Sequence, residues 1–137
     1  FADVNNIREK STEEWIKYIE ETYLNQQKYD CILTPSDLDS HHEHILVSSF
    51  LTSLCRVTPY SAIQYKSPST LDSWIPNIYI SIDDQYLEKK RMLNEFTSQL
   101  TKPYFQDKVL DGFHTNFQCM KKGKGFVEPF KIISHYL

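Results

Sequence analysis

A short apolar run, Tyr29-Asp30-Cys31-Ile32-Leu33-Thr34, stops at Pro35 and lies between two stretches whose apolar residues recur at helical spacing. This juxtaposition constrains the fold most, because a buried strand flanked by amphipathic helices needs a sheet for the helices to cover. On one side, Ser11-Thr12-Glu13-Glu14 is a capping-box pattern, followed by Trp15, Ile16, Ile19, Tyr23 and Leu24 on one face. On the other, the spacing predicts a helix from about His41 to Arg56, with Leu46, Val47, Phe50, Leu51 and Leu54 facing inward. Ala62 to Lys66 and Ile78 to Ile82 predict further strands. Asp83-Asp84-Gln85-Tyr86 opens a third helix carrying Leu87, Leu93, Phe96 and Leu100, which Pro103 ends. A fourth helix is expected over Phe105 to Met120, a turn over Lys121 to Gly125, and a last strand from Phe126 to Ile133. No repeat or low-complexity segment interrupts the pattern. The expected fold class is α/β: a mainly parallel sheet with helices packed on it.

The 137 residues give room for one core, so residues 1–137 read as a single domain. Hydrophobic residues at 40% and charged residues at 24% exclude a disordered chain, and a net charge of −3 provides no basic field for nucleic acid. No apolar run approaches the roughly 20 residues that span a bilayer. Phe1-Ala2-Asp3-Val4-Asn5-Asn6 lacks the order of a signal peptide and reads like the middle of a loop, so the domain is expected to be incomplete at its amino terminus. Cys31, Cys55 and Cys119 are widely spaced and odd in number, which argues against a disulfide framework and for a reducing, cytoplasmic compartment.

Open α/β sheets bind ligands at the carboxyl ends of their strands, so the strand ending at Thr34 aims the loop from Pro35 to His44 at the expected site. Three of the five histidines, His41, His42 and His44, fall there within four positions. With Ser40 as N-cap and Glu43 as its reciprocal partner, His41 and His44 share one face of the first turn and His42 points elsewhere. Asp39 is close enough in sequence to orient an imidazole. A His-x-x-His pair supplies at most two ligands, whereas a catalytic zinc site takes three and a water. The remaining candidates, His114, His135, a cysteine or a carboxylate, sit in no ligand motif. The same residues equally suit a solvated helix start, where acidic side chains complement the macrodipole.

The stretch Thr34-Pro35-Ser36-Asp37-Leu38-Asp39-Ser40-His41-His42-Glu43-His44 resembles the second motif of the PIG-L/LmbE-like zinc-dependent N-deacetylases. That motif is a strand, Thr-Pro, a short loop and Asp-x-His-x-Asp-His, with Glu43 here replacing the usual Asp. Pro76-Asn77-Ile78-Tyr79-Ile80-Ser81-Ile82 resembles a later family strand. Lys89 or Lys90 followed by Phe96-Thr97-Ser98-Gln99 resembles its Lys helix ending in Ser-Gln, and Gly125-Phe126-Val127-Glu128-Pro129-Phe130 its closing Gly-x-x-x-Glu-x-Phe. The family's opening His-Pro-Asp-Asp-Glu, which supplies two zinc ligands and the aspartate base, does not occur here. The chain therefore corresponds to the later, carboxy-terminal part of the family domain.

The resemblance implies an LmbE-like, Rossmann-type layered fold, Zn2+ as cofactor, and removal of an N-acetyl group from an amino-sugar conjugate of the N-acetylglucosamine type. His44 would be the third zinc ligand. His41 would be the imidazolium that stabilises the oxyanion or passes a proton to the leaving amine, and Asp39 would orient His41. Zinc in such a site brings bound water to a pKa of about 7 and polarises the amide carbonyl. Ser98, Gln99 and Glu128 read as helix-end and strand contacts. Two other readings stand beside this one. The missing motif favours a non-catalytic descendant or fragment kept as a scaffold for sugars or a partner chain. A bare metal-binding module is disfavoured by the lack of further ligands. The expected partner is a small N-acetylated sugar, and an exposed sheet edge leaves room for a homo-oligomer. Tyr60 to Asp72, rich in Ser, Thr and Tyr, carries no legible signature.

Overall fold

The structure, a computed structural model, describes residues 7–57, 60–117 and 125–134. In chain order its main elements are helix α1 (Thr12–Ile19), strand β1 (Cys31–Pro35), α2 (His42–Val57), β2 (Ser61–Tyr65), β3 (Ile78–Ser81), α3 (Tyr86–Asn94), α4 (Asp107–Thr115) and β4 (Val127–Ser134). The strands form one mixed four-stranded sheet in the order β1-β2-β4-β3. Strands β1 and β2 run parallel, from Cys31↔Ser61 to Pro35↔Tyr65. Strands β3 and β4 run antiparallel, from Ile78↔Phe130 to Ser81↔Val127.

The α/β class holds, and the mainly parallel sheet is corrected to a mixed one. A parallel pair needs one helical crossover, which α2 provides between β1 and β2. Two helices, α3 and α4, separate β3 from β4. A chain that leaves a strand on one helix and comes back on a second arrives at the next strand running the other way. Apolar periodicity marks a strand and carries no information about its direction.

The chain divides into two compact units, Phe1–Pro76 with Lys131–Leu137, and Asn77–Phe130. In the first, the Ser11 capping box forms as expected: Ser11 Oγ accepts the Glu14 N–H at 3.2 Å, and Glu14 Oε2 accepts the Ser11 N–H at 2.7 Å. Trp15 is buried against Phe50 of α2, with ring centroids 5.9 Å apart and planes at 18°. Its Nε1 donates to the Ile7 carbonyl at 2.8 Å, which ties down the preceding 3-10 turn. Behind it, α2 covers β1 and β2 with Leu54 and Cys55 buried, and a π-helical turn, Glu20–Leu24, extends α1. This packing fixes the start of α2 over the carboxyl end of β1.

In the second unit, Tyr86 stacks on Phe126 and meets the edge of the buried His114, whose Nδ1 lies 3.2 Å from the Val127 carbonyl. Burial, and secondarily Lys89, hold the His114 imidazole below its ordinary 6.5. Gly125 has φ +78°, and a Cβ there would overlap the Asp83 carboxylate, which accepts the Phe126 N–H at 2.5 Å. The third helix stops at Asn94 instead of running to Pro103. Pro103 opens a separate 3-10 turn, Pro103–Phe105, where its missing N–H costs nothing. The fourth helix starts at Asp107. The far end expected for that helix, up to Met120, and most of the Lys121 to Gly125 turn lie outside the described residues. No helix among the described residues is long and apolar enough to cross a membrane.

Candidate functional site

The loop after β1 turns through a chain of local hydrogen bonds. Ser36, fully buried, accepts the Leu38 N–H at 2.9 Å. Asp37 Oδ1 accepts from Gln64 Nε2 at 2.9 Å, and Gln64 Oε1 accepts from the buried Trp74 Nε1 at 3.1 Å. Asp39 Oδ1 then accepts the His41 backbone N–H at 2.8 Å, a turn that short acidic side chains form readily just before a helix. The His41 carbonyl receives the His44 and Ile45 N–H groups at 3.0 and 3.3 Å, so α2 begins there.

The expected second capping box does not form. Ser40 turns away from the helix, and both its N–H and its hydroxyl donate to the Ser69 carbonyl, at 2.9 and 3.0 Å. Glu43 is exposed and reaches Arg8 at 3.9 Å. Asp39 closes the turn that leads into the helix, through the His41 N–H.

The expected meeting of His41 and His44 does occur: their rings stack with centroids 4.7 Å apart and planes at 26°. His42 points elsewhere, lining a groove of about 270 Å3 with Trp15, Leu46 and Phe50. The role foreseen for Asp39 needs correction. Its carboxylate touches His41 only through the backbone, and Oδ2 instead lies 3.1 Å from Nδ1 of His44. One helical turn brings the His44 ring back over the loop, whereas His41 at the helix start projects outward and is exposed.

Oδ2 of Asp39 is also met by Ser67 Oγ at 2.8 Å and Thr70 Oγ1 at 3.3 Å. These residues follow the carboxyl end of β2, so the site sits at the carboxyl ends of two adjacent parallel strands. A bridge between Asp39 and Thr70, and the Leu71 N–H on the Leu38 carbonyl at 2.9 Å, join the two loops. Ser69 Oγ lies 3.3 Å from His44 Nδ1. The Asp39 side chain has no solvent exposure. Burial alone would push its carboxyl up. The nearby Ser69 hydroxyl, the His41 backbone N–H, His44 and Ser67 outweigh burial and hold it far below the usual carboxylate range. Asp39 is therefore an anion at neutral pH, and its charge helps burial to push the Tyr65 phenol up.

An ionised carboxylate only accepts, so the His44 nitrogen facing it carries a proton. A carboxylate behind an imidazole in this way is how zinc-binding histidines are oriented. One imidazole held this way could be one metal ligand and is short of the three protein ligands of a catalytic zinc centre. Among the described residues no group of three or more His, Cys, Asp or Glu could hold a metal ion. His114 is committed to the core of its own unit, and His135 and Cys119 lie outside the described residues. Glu128 pairs with Lys89 Nζ at 2.7 Å, and Gln99 contacts Tyr104 and Ser98, which agrees with their reading as strand and helix-end contacts. Lys90 binds Asp111 at 2.8 Å and Asp107 at 3.2 Å.

Gln64, Ser67, Ser69 and Thr70 were not legible as site residues. The available signal was positional: Ser-Pro-Ser-Thr immediately follows the second of two parallel strands. No family model and no curated protein matches the chain.

Proposed function

We propose that this chain is the carboxy-terminal part of a PIG-L/LmbE-like zinc-dependent N-deacetylase that acts on an amino-sugar conjugate of the N-acetylglucosamine type. One observation carries the reading: at the carboxyl end of β1, a buried carboxylate backs Nδ1 of His44 and leaves Nε2 for a metal. The motif Asp39-Ser40-His41-His42-Glu43-His44 supports it by resemblance. An LmbE-like arrangement of the complete domain and a cytoplasmic location, compatible with the free thiols of Cys31 and Cys55, belong to the same proposal.

His44 would hold one zinc position through Nε2, and such a centre would need two further protein ligands, which in the family it resembles come from a His-Pro-Asp-Asp-Glu segment. Bound zinc supplies a Lewis acid and an acidified water. Asp39 fixes the His44 ring and its proton. His41, stacked on His44 and open to solvent, carries a proton to the departing amine, so that amide and water become acetate and free amine.

The test is zinc stoichiometry and acetate release from N-acetylglucosamine conjugates, measured on the protein with such a segment in place. One zinc per chain and its loss in His44→Ala are expected. Unchanged metal content in His44→Ala overturns the proposal. The second reading, a non-catalytic scaffold, is favoured by the single ligand position among the described residues. A zinc-free protein that binds acetylated sugar without hydrolysing it would select that reading.

A further inference from the structure

We infer that this chain pairs with a second copy of itself along the free edge of β1, antiparallel and about a two-fold axis at Leu33. This pairing does not depend on the deacetylase reading.

Strand β1 ends the sheet, and among the described residues no strand pairs with its outer edge. Such an edge offers a row of backbone donors and acceptors, and proteins that keep theirs free guard it with charge, proline or a bulge. Cys31-Ile32-Leu33-Thr34-Pro35 carries no charge, and its one proline is the last residue. The register with β2 runs unbroken from Cys31↔Ser61 to Pro35↔Tyr65, so no bulge turns the strand aside.

The neighbouring face is open as well. Gln64 Nε2 lies 3.4 Å from Ser48 Oγ of α2, and Thr34, the register partner of Gln64, is fully buried. Side chains alternate along a strand, so Leu33 and Ile63, paired one position earlier, face away from α2. Parallel strands are ordinarily covered on both faces. Leu33 is instead 58% exposed, and Ile63 is half-buried.

The pattern of β1 fits a second copy better than a foreign strand. Its exposed leucine is the middle one of 5 residues. Two-fold pairing therefore sets Leu33 beside the partner subunit's Leu33 on the same face, with Cβ atoms about 4.5–5.5 Å apart. Cys31 then opposes Pro35 of the partner subunit, so the missing N–H falls at the end of the ladder. Continued past the strand, the same pairing sets Asp30 against Ser36 and Lys28 against Leu38, and no like charges oppose one another. So short a ladder lies at the small end of protein interfaces, below about 1,200 Å2 in total, and the dimer forms and dissociates with concentration.

Sedimentation velocity of this chain between roughly 20 µM and 1 mM, where so small an interface would associate, is expected to show monomer passing to dimer. A monomer throughout overturns the inference. So does assembly beyond two copies, because two-fold pairing uses up the β1 edge. Leu33→Lys and Leu33→Glu each place like charges on the axis, and each should raise the dissociation constant by about tenfold or more. Mixed in equal amounts the two variants should associate again, since opposite charges then face each other.

A dimer that survives either substitution lies on another surface, and a mixture that stays monomeric means that residue 33 is not on the axis; either result overturns the inference. Circular dichroism and thermal unfolding establish that both variants are folded. Should one fail to fold, the other is measured at low and high salt. Screening should then strengthen its dimer more than that of the wild type, and an equal response of the two overturns the inference.

Discussion

Exchanging Asp39 for Asn keeps the shape of the side chain and removes its charge, which isolates what ionisation contributes. Asn Oδ1 can still accept the His41 N–H, held at 2.8 Å in the native loop. On the other arm, an amide NH2 would meet three donors: Ser67, Thr70 and His44. Thr70 can turn its hydroxyl proton to Ser67 Oγ across 3.1 Å, and Ser67 its own to Ser69 Oγ across 3.0 Å. Each then exchanges a charge-assisted hydrogen bond, about 1.5–3 kcal/mol, for a neutral one, about 1 kcal/mol. His44 must move its proton to Nε2 and forfeits a similar increment. The neutral amide recovers part of the cost of burying a carboxylate. The net loss is about 2 kcal/mol at neutral pH.

The pH dependence has a definite sign. The folded carboxyl lies below its ordinary 3.8, so its contribution is fully present above that value. It is lost as the pH falls through the folded value. Urea unfolding followed by circular dichroism from pH 7 towards pH 3 should show the gap between wild type and Asp39→Asn constant at first, then closing. Equal stability at pH 7, or a gap that persists unchanged into acid, would refute the reasoning.

In a zinc-loaded form, His41→Ala should retain metal and lose about 10²–10³ in turnover, while His42→Ala changes little; paired metal and acetate measurements decide. Gly125→Ala puts a side chain at φ +78° against the Asp83 carboxylate and should cost about 2 kcal/mol or more; an unshifted melting curve would contradict the clash. His114 is held below 6.5 mainly by burial, so its stabilising contribution exists above that pH and is lost as the pH drops through the folded value. Protection factors of the α4 amides should therefore fall on acidification in the wild type and not in His114→Gln, and equal behaviour of the two would sink the idea.

The elements of the fold were legible because each depends on a local apolar period. Strand β1 and helix α2 came within a residue or two of the expected bounds, since Pro35 and the Leu46-Phe50-Leu54 face mark them unambiguously. Helix α3 was read too long because Phe96 and Leu100 continue its pattern, yet both are exposed, at 57% and 42%, and no packing sustains the helix past Asn94. Strand direction was not legible at all.

At the site, the approach of His41 to His44 followed from their three-residue spacing alone. The second capping box was expected because Ser40 and Glu43 have the residue types and spacing of one. Ser40 is drawn away by the Ser69 carbonyl, which takes both of its donors. That carbonyl, like the hydroxyls of Ser67 and Thr70, comes from a segment far along the chain that in sequence looks like any polar loop.

The parallel register of β1 and β2 has a consequence for how this protein tolerates insertions. Pro35 is opposite Tyr65, and from that shared pair the chain runs on to Asp39 on one side and to Ser67 on the other. One added residue in either span displaces its group by roughly 3.3 Å, about a whole hydrogen-bond length, and reverses the side to which the side chain points. The spans 35–39 and 65–67 are thus fixed in length. The mostly exposed 25–30 segment, which enters β1 from the opposite end, can lengthen or shorten without disturbing the distance between carboxylate and hydroxyl.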